Sequence, residues 1–330
     1  MSKSIISNLR SVEHDLALIV SHDRVKIFAP LAKLTTFNVG GNADLLVEVR
    51  TAKELVDVLH VARETDLPVT LLGGGSNVLV GDLGVRGLVV LVRGGEINLT
   101  SPDRVLADSG VTINGLVRWT ISKGLGGLEA WAGTPGTVGG AVAGNAHFEG
   151  HLISEVIDHV QVVTQNGNKL DVSAEQLEFG YDTSRLKSNG EFLLSATFQV
   201  HKGDQAQLRA TARKSLAFRK QSQPLALPSA GCIFRNPSSD EVPSGLPVSA
   251  GALLDDAGLK GTLIGGARVS DVHANFVVNE GGATAQEIKT LVRFCQNTVA
   301  KRFGVRLREE IVYVGEFKVE EELDDVDAGS

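Results

Sequence analysis

The sequence is short of the features that mark several common classes of protein. It holds two cysteines in 330 residues, Cys232 and Cys295, too few to staple a secreted scaffold of this size. It has no run of lysine and arginine with interleaved aromatics, so the signature of nucleic-acid binding is missing. The apolar run near the N-terminus, LALIV at 16–20, is far too short to span a bilayer. A basic n-region and an extended signal-peptide core are also lacking, and a cytoplasmic protein with no membrane or nucleic-acid partner is expected. Net charge is concentrated at one end. The formal net charge is −7, but Glu316 to Ser330 carries seven acids against one lysine. That tail, taken as 318–330, is expected to be solvated and disordered.

Glycine, by contrast, is abundant, with 37 residues. The densest stretch is Gly126 to Asn145, GGLEAWAGTPGTVGGAVAGN. Each glycine removes a Cβ and permits positive φ, so bare backbone can approach a ligand. Gly133, Thr134, Pro135, Gly136, Thr137, Gly139, Gly140 and Asn145 are the candidates within it. Pro135 suits the start of a short helix whose positive end would face the same guest. Two readings stand at this level: a cradle for phosphate or diphosphate, or a packing turn. A second loop, Gly73-Gly74-Gly75-Ser76-Asn77, follows the strand PVTLL directly. Two such loops suggest one extended anionic ligand.

Hydrophobic periodicity fixes the order of elements. Ile5, Ile6, Leu9, Val12, Leu16 and Ile19 have helical spacing, giving an N-terminal helical extension over 1–20. A strand (ADLLVEVR), a helix opened by a Thr51–Glu54 capping box and the strand PVTLL then make a β-α-β unit. The strands GLVVLV and RVLADSG, a helix from about Thr112 to Lys123, a hairpin turning at Asn166-Gly167 and the strand EFLLSATFQV follow. A helix from Asp204 to about Arg219 leads into a third part. That part holds the helix AGALLDDAGL, the strand NFVVN, a helix from Thr284 to Phe303 with its own capping box, and the strand VRLREEIVYVG.

With these pieces in order, the chain resembles the UDP-N-acetylenolpyruvoylglucosamine reductase family over about Leu34 to Gly315. The resemblance rests on TTFNVGG (35–41), LLGGGSNVLV (71–80), AGTPGTVGGAV (132–142), PSAGCIFRNP (228–237), AGLKGTLIGGARVSDVHANFVVN (257–279) and LREEIVYVG (307–315). It implies an α+β fold with a two-part FAD-binding region of the vanillyl-alcohol oxidase/p-cresol methylhydroxylase type, followed by an α+β substrate-binding domain. The expected division is 21–203 for the FAD-binding region, with subdomains of about 21–92 and 93–203, and 204–317 for the substrate domain. The two glycine loops match the family's FAD-diphosphate loops. FAD would be non-covalent, NADPH the hydride source and UDP-N-acetylglucosamine enolpyruvate the substrate, in a monomer. Without an extra loop between Tyr181 and Glu191, the chain resembles the shorter subtype. The rival readings are an alcohol or sugar oxidase of the same flavin fold, and a catalytically impaired flavin- or UDP-sugar-binding protein.

The resemblance also implies roles. Cys232, otherwise read as a small buried thiol, falls where the family keeps its proton donor, usually a serine. Glu310 matches the catalytic glutamate and is expected inward, with Glu309 turned to solvent. The family's arginine follows a tyrosine, but here Tyr181 is followed by Asp182. An ionised aspartate donates no hydrogen bond, so the role passes to Arg185 or Lys187, with Arg185 preferred, or is weakened. A second departure is NAHFEG at 145–150, where the family has a smaller and more neutral run. Tyr181, Lys220, Gln223, Arg235 and Asn236 are expected at the substrate, with ordinary solvation an equal reading for Lys220. His273 and Asn275 look like hydrogen-bonding residues of the domain core. His147 and His151 have the spacing of a helical metal pair, but no third ligand is evident and no metal is expected.

Overall fold

The computed structural model describes residues 3–318. The acidic tail beyond Lys318 and the side chains of Ile5 and Ile6 lie outside the described residues.

The first helix, α1 (Lys3–Val20), turns Leu9, Val12, Leu16 and Val20 into a core shared with α2 (Ala52–Glu64) and one face of a four-stranded sheet. The strand order is Val25–Pro30, Asn42–Val49, Val85–Val92, Val69–Leu72. The first pair is antiparallel and the rest parallel, as the β-α-β reading requires. The Thr51 hydroxyl caps α2 by accepting from the Glu54 amide. The capping box does not close, however: the Glu54 carboxylate accepts from the Arg50 amide at 2.7 Å and from Arg24 at 2.8 and 2.9 Å. A guanidinium fork offers two charged donors where the Thr51 amide offers one neutral one.

The second sheet is antiparallel, ordered Lys169–Ser173, Ile157–Val163, Phe192–Gln199, Arg104–Asp108, Ile97–Ser101. Three helices, α3 (Ile113–Ser122), the short α4 (Val138–Ala143) and α5 (Gln205–Ser222), share its core with the fully buried Trp131. The third core is built on α6 (Ala250–Asp256), α7 (Ala285–Phe303) and the three short strands Leu263–Ile264, Ala267–Val269 and Val277–Asn279. Cys295 lies inside it, 2% exposed. The Thr284–Glu287 capping box closes in both directions.

This last core is not confined to the C-terminal residues. Phe37, Val39 and Leu79 belong to it, and Asp82 accepts the first amides of α7, from Ala285 and Gln286, both at 2.9 Å. The strand expected over VRLREEIVYVG is regular only at Val312–Val314, where it pairs in parallel with Val78–Val80. The residues before it run extended, touching Phe234 through a single bridge at Glu309. That crossing carries the C-terminal segment onto the first glycine loop.

Candidate active site

The two glycine loops lie against each other. A Cβ on Gly73 would stand 2.5 Å from the Thr137 hydroxyl, one on Gly74 2.6 Å from Gly136 Cα, and one on Gly136 2.8 Å from the Ser76 hydroxyl. Gly75 has φ +62°, and a Cβ there would meet the Leu34 carbonyl at 2.1 Å. Side chains would therefore prise the loops apart. Among the described residues, the amides of Gly74, Gly75, Ser76 and Asn77 have no acceptor within the protein. Consecutive unpaired amides on glycine-rich backbone form a site for anionic oxygens, and a diphosphate fits it.

The second loop contributes less of its helix end than its sequence implies. The amides of Val138 and Gly139 are committed to the carbonyls of Val111 and Ser109, both at 2.8 Å, and the Gly140 amide reaches the Thr137 hydroxyl at 3.4 Å. What this loop offers is its surface around Thr134, Pro135 and Gly136. Asn114 pins it by accepting from the Gly133 amide at 2.6 Å and donating to the Thr134 carbonyl at 3.1 Å.

Cys232 and Glu310 come together because their segments are neighbours. The Glu310 amide donates to the Ile233 carbonyl at 2.7 Å. The Cys232 loop is clamped from the other side by buried Asn275, whose side chain accepts from the Phe234 amide and donates to the Phe234 carbonyl. His273 supports that clamp by accepting the Asn275 amide at 3.2 Å. Burial, then Glu310 and Asp182, push the Cys232 thiol up to about 12. It is thus a weaker acid than an ordinary thiol and fully protonated at neutral pH. Burial, then Asp182, push the Glu310 carboxyl up to about 7, against the pull of His147, Arg235 and Lys187. Glu309 is not left to solvent: it is half-buried and accepts from the Tyr313 hydroxyl at 3.3 Å.

The two departures from the family pattern meet at this centre. Asp182, 4% exposed with φ 52°, sits in the Gly180–Thr183 turn. Its Oδ1 lies 3.1 Å from His147 Nδ1. The Asp182 hydrogen bond outweighs burial and raises the His147 pKa, with Glu310 adding to the rise and Arg219 opposing it. Arg235 Nε stands 3.9 Å from Asp182 Oδ2, and Lys187 Nζ donates to the Asp182 carbonyl at 2.6 Å. The Tyr181 ring lies 5.5 Å from that of His147, and its hydroxyl accepts from the Asn236 amide at 3.4 Å.

Other expected residues are placed differently. Arg185 does not substitute for the missing arginine. It is locked in a two-pronged pair with Glu191 at 2.9–3.1 Å and donates to the Gln176 carbonyl, because the short helical turn after Ser184 carries it away from Asp182. The Asn145 side chain faces the fold: it donates to the Gly180 carbonyl at 2.9 Å and accepts from the Ser154 amide, fixing the turn that carries Asp182. Asn77 donates to the Glu310 carbonyl at 3.3 Å and accepts Val312 on its own carbonyl, so it joins the first loop to the Glu310 segment. The Asn236 side chain accepts from the Ala250 amide at the start of α6. Lys220 is exposed, and Gln223 half-buried where α5 ends. His147 and His151 lie on a two-residue hairpin, Leu152 opposite His147, and the helical spacing that suggested a metal pair does not exist. Among the described residues no cluster of metal-ligating side chains occurs.

Two residues went unrecognised in the sequence. Arg219, one position before Lys220, is 6% exposed, donates to the Thr134 hydroxyl at 2.6 Å and stacks 3.6 Å from the Phe148 ring centroid. Burial lowers it to about 10. The available signal was its place on the apolar face of α5 with Leu208, Ala212 and Ser215. The other is His147, read in the sequence as a metal candidate and as part of the departing run NAHFEG.

Comparison with known proteins agrees with this geometry. Residues 223–314 match the C-terminal domain of UDP-N-acetylenolpyruvoylglucosamine reductase, and residues 43–173 match an FAD binding domain. The UDP-N-acetylenolpyruvoylglucosamine reductase of Clostridium botulinum (strain Hall) is 38% identical over 90% of this chain and 95% of its own. That of Geobacillus thermodenitrificans is 36% identical over 91% and 96%. The crystal structure of the Thermus caldophilus reductase superposes with a TM-score of 0.72 at 31% identity, covering 88% of this chain and 98% of that one. On these matches the chain belongs to the UDP-N-acetylenolpyruvoylglucosamine reductase family.

Proposed function

We propose that the protein reduces UDP-N-acetylglucosamine enolpyruvate to UDP-N-acetylmuramate with NADPH, for peptidoglycan precursor synthesis. The observation that carries this reading is the meeting of a protonated thiol, Cys232, and a carboxyl raised to about 7, Glu310, beside a loop pair able to hold a diphosphate. FAD would be held non-covalently at those loops and would supply the hydride chemistry between NADPH and the substrate's terminal carbon. The Gly74–Asn77 amides would hold its phosphate oxygens, with Thr134 to Gly136 on the facing loop.

The protein's own groups complete the addition. Hydride transfer places negative charge on the carbon beside the substrate carboxylate, and donors held in place lower the barrier by meeting that charge. Glu310, in its protonated form, donates one such hydrogen bond. The Cys232 S–H bond then breaks as its proton forms the new C–H bond, and the thiolate, of high pKa, recovers a proton from solvent. Tyr181, Arg235 and Asn236 flank the sugar nucleotide. The reading assigns 21–203 to the flavin and 204–317 to the substrate, in a cytoplasmic monomer.

The purified protein is expected to show a flavin spectrum and to oxidise NADPH faster when the enolpyruvyl sugar nucleotide is added. Lack of stimulation by that nucleotide overturns the reading, and oxygen uptake with a simple alcohol replaces it with an oxidase.

A further inference from the structure

Asp182 places a buried carboxylate within reach of a centre that, on the function proposed above, must also admit the carboxylate of the enolpyruvyl group. Glu310 adds a third acid. An anion enters such a pocket only if cations face it. Four approach, from four segments. Lys187 is committed to the Asp182 carbonyl. Arg219, from α5, is committed to the Thr134 hydroxyl and the face of Phe148. Arg235 uses Nη1 on the Tyr181 carbonyl at 3.4 Å, and its buried Nε makes no hydrogen bond but stands 3.9 Å from Asp182 Oδ2. His147 is bound to Asp182 through Nδ1 alone.

Of these, the imidazole keeps one whole side uncommitted. Among the described residues, Nε2 of His147 has no partner within the protein, and the side chain is 35% exposed. The ring is held between the Asp182 carboxylate and the Tyr181 ring, 5.5 Å away and tilted by 31°. A histidine whose Nδ1–H is held by a carboxylate presents Nε2 as a directed N–H donor when the ring is protonated.

We propose that His147 is a substrate-binding residue whose Nε2–H grips the enolpyruvyl carboxylate, with Asp182 as the positioning residue that orients its ring and holds its charge. The inference rests on the function proposed above. It gives Asp182 a purpose without asking it to donate: the carboxylate exchanges a fixed cation for a titratable one. The bond strengthens as the carboxylate takes up charge from the neighbouring carbon, so His147 favours the reduced intermediate over the incoming substrate. The other groups facing the ring are Asp182, Tyr181, Glu310 and Arg219, while Lys187 and Arg235 act on Glu310 and Cys232 lies near Glu310 and Asp182. Of these, Glu310 titrates in the same range, so the test reads binding of the carboxylate and not rate alone.

Two probes separate the outcomes: UDP-N-acetylmuramate, which carries the carboxylate arm, and UDP-N-acetylglucosamine, which lacks it. Binding of each to the flavin-loaded protein is followed by calorimetry from pH 5.5 to 9. His147→Gln is expected to weaken the first about 10- to 100-fold, the range for a charge-assisted hydrogen bond, and to leave the second within about 2-fold. In the parent protein the preference for the carboxylate-bearing ligand is expected to fade at alkaline pH. Asp182→Asn shifts that fading to lower pH, and the His147 ring resonance in a carbon-13 histidine-labelled sample titrates lower in step. His147→Arg is expected to restore the preference and make it independent of pH. Equal weakening of both probes, or an unchanged preference in His147→Gln, overturns the proposal while the reductase reading stands. Failure of the parent protein to bind either sugar nucleotide overturns the reductase reading itself.

Discussion

The two halves of the candidate site are built on opposite principles. The proposed flavin cradle works by subtraction: Gly73, Gly74 and Gly136 lack the side chains that would collide between its loops, and its donors are main-chain amides. The reaction centre works by accumulation, crowding Asp182, Arg219 and Arg235 around Cys232, Glu310 and His147, whose ionisation charged neighbours shift. Backbone amides do not titrate near neutral pH, so their grip on a cofactor does not depend on their own protonation. Proton transfer needs groups that change state, and those are costly to bury. The molecule separates the two tasks.

The two halves separate most clearly at Cys232. Cys232→Ala is expected to leave reduction of the flavin by NADPH intact and to slow its reoxidation by the enolpyruvyl sugar nucleotide by roughly 10²–10⁴. Stopped-flow absorbance resolves the two, and equal loss of both would make Cys232 structural. Next in size is Gly140→Ala. The nearest protein atom to the added methyl is 3.9 Å away, so the protein alone accommodates it. Replacing glycine within α4 should raise the stability of the flavin-free protein by roughly 0.5–1 kcal/mol. If the cradle admits its ligand over this helix, the same methyl weakens flavin retention about tenfold, read by absorbance after dialysis. Unchanged retention would confine the cradle to the Gly73–Asn77 side.

A smaller effect separates the halves by pH. The Glu310 carboxyl lies at about 7 in the folded protein, against 4.5 ordinarily. The folded state therefore holds a proton that the unfolded state has released, and stability falls as pH rises from 4.5 through 7. Glu310→Gln should melt like the parent near pH 4.5 and several degrees higher at pH 8. A pH-independent difference would mean that packing, not charge, governs the position. The smallest effect is expected at Arg185. Its pairing with Glu191 is distant from the reaction, so Arg185→Ala should change turnover less than about 2-fold and lower stability by about 1–2 kcal/mol. A larger loss of turnover would return Arg185 to the centre.

The same contrast explains what could be read in the chain. A missing Cβ is a local property, so the glycine runs betrayed close backbone approach before any fold was known. Element order was equally legible, since periodicity and caps act over a few residues. Pairing across distance was not. His147 and Asp182 are 35 positions apart, and each in isolation looked like a departure from a pattern. Glu54 satisfied the capping-box spacing, but a spacing rule does not see Arg24 arriving from another element. Arg219 and Lys220 are adjacent, and only the packing of α5 decides which enters the site.

The parallel pairing of Val312–Val314 with Val78–Val80 also sets an order in time. Glu310 reaches the centre on a segment made more than 200 residues after the glycine loop it joins, and protein synthesis runs from the N-terminus. The cradle's residues all emerge earlier. During synthesis the nascent chain thus has its cofactor loops before its last acid, and reactivity begins only when the final strand closes onto Asn77.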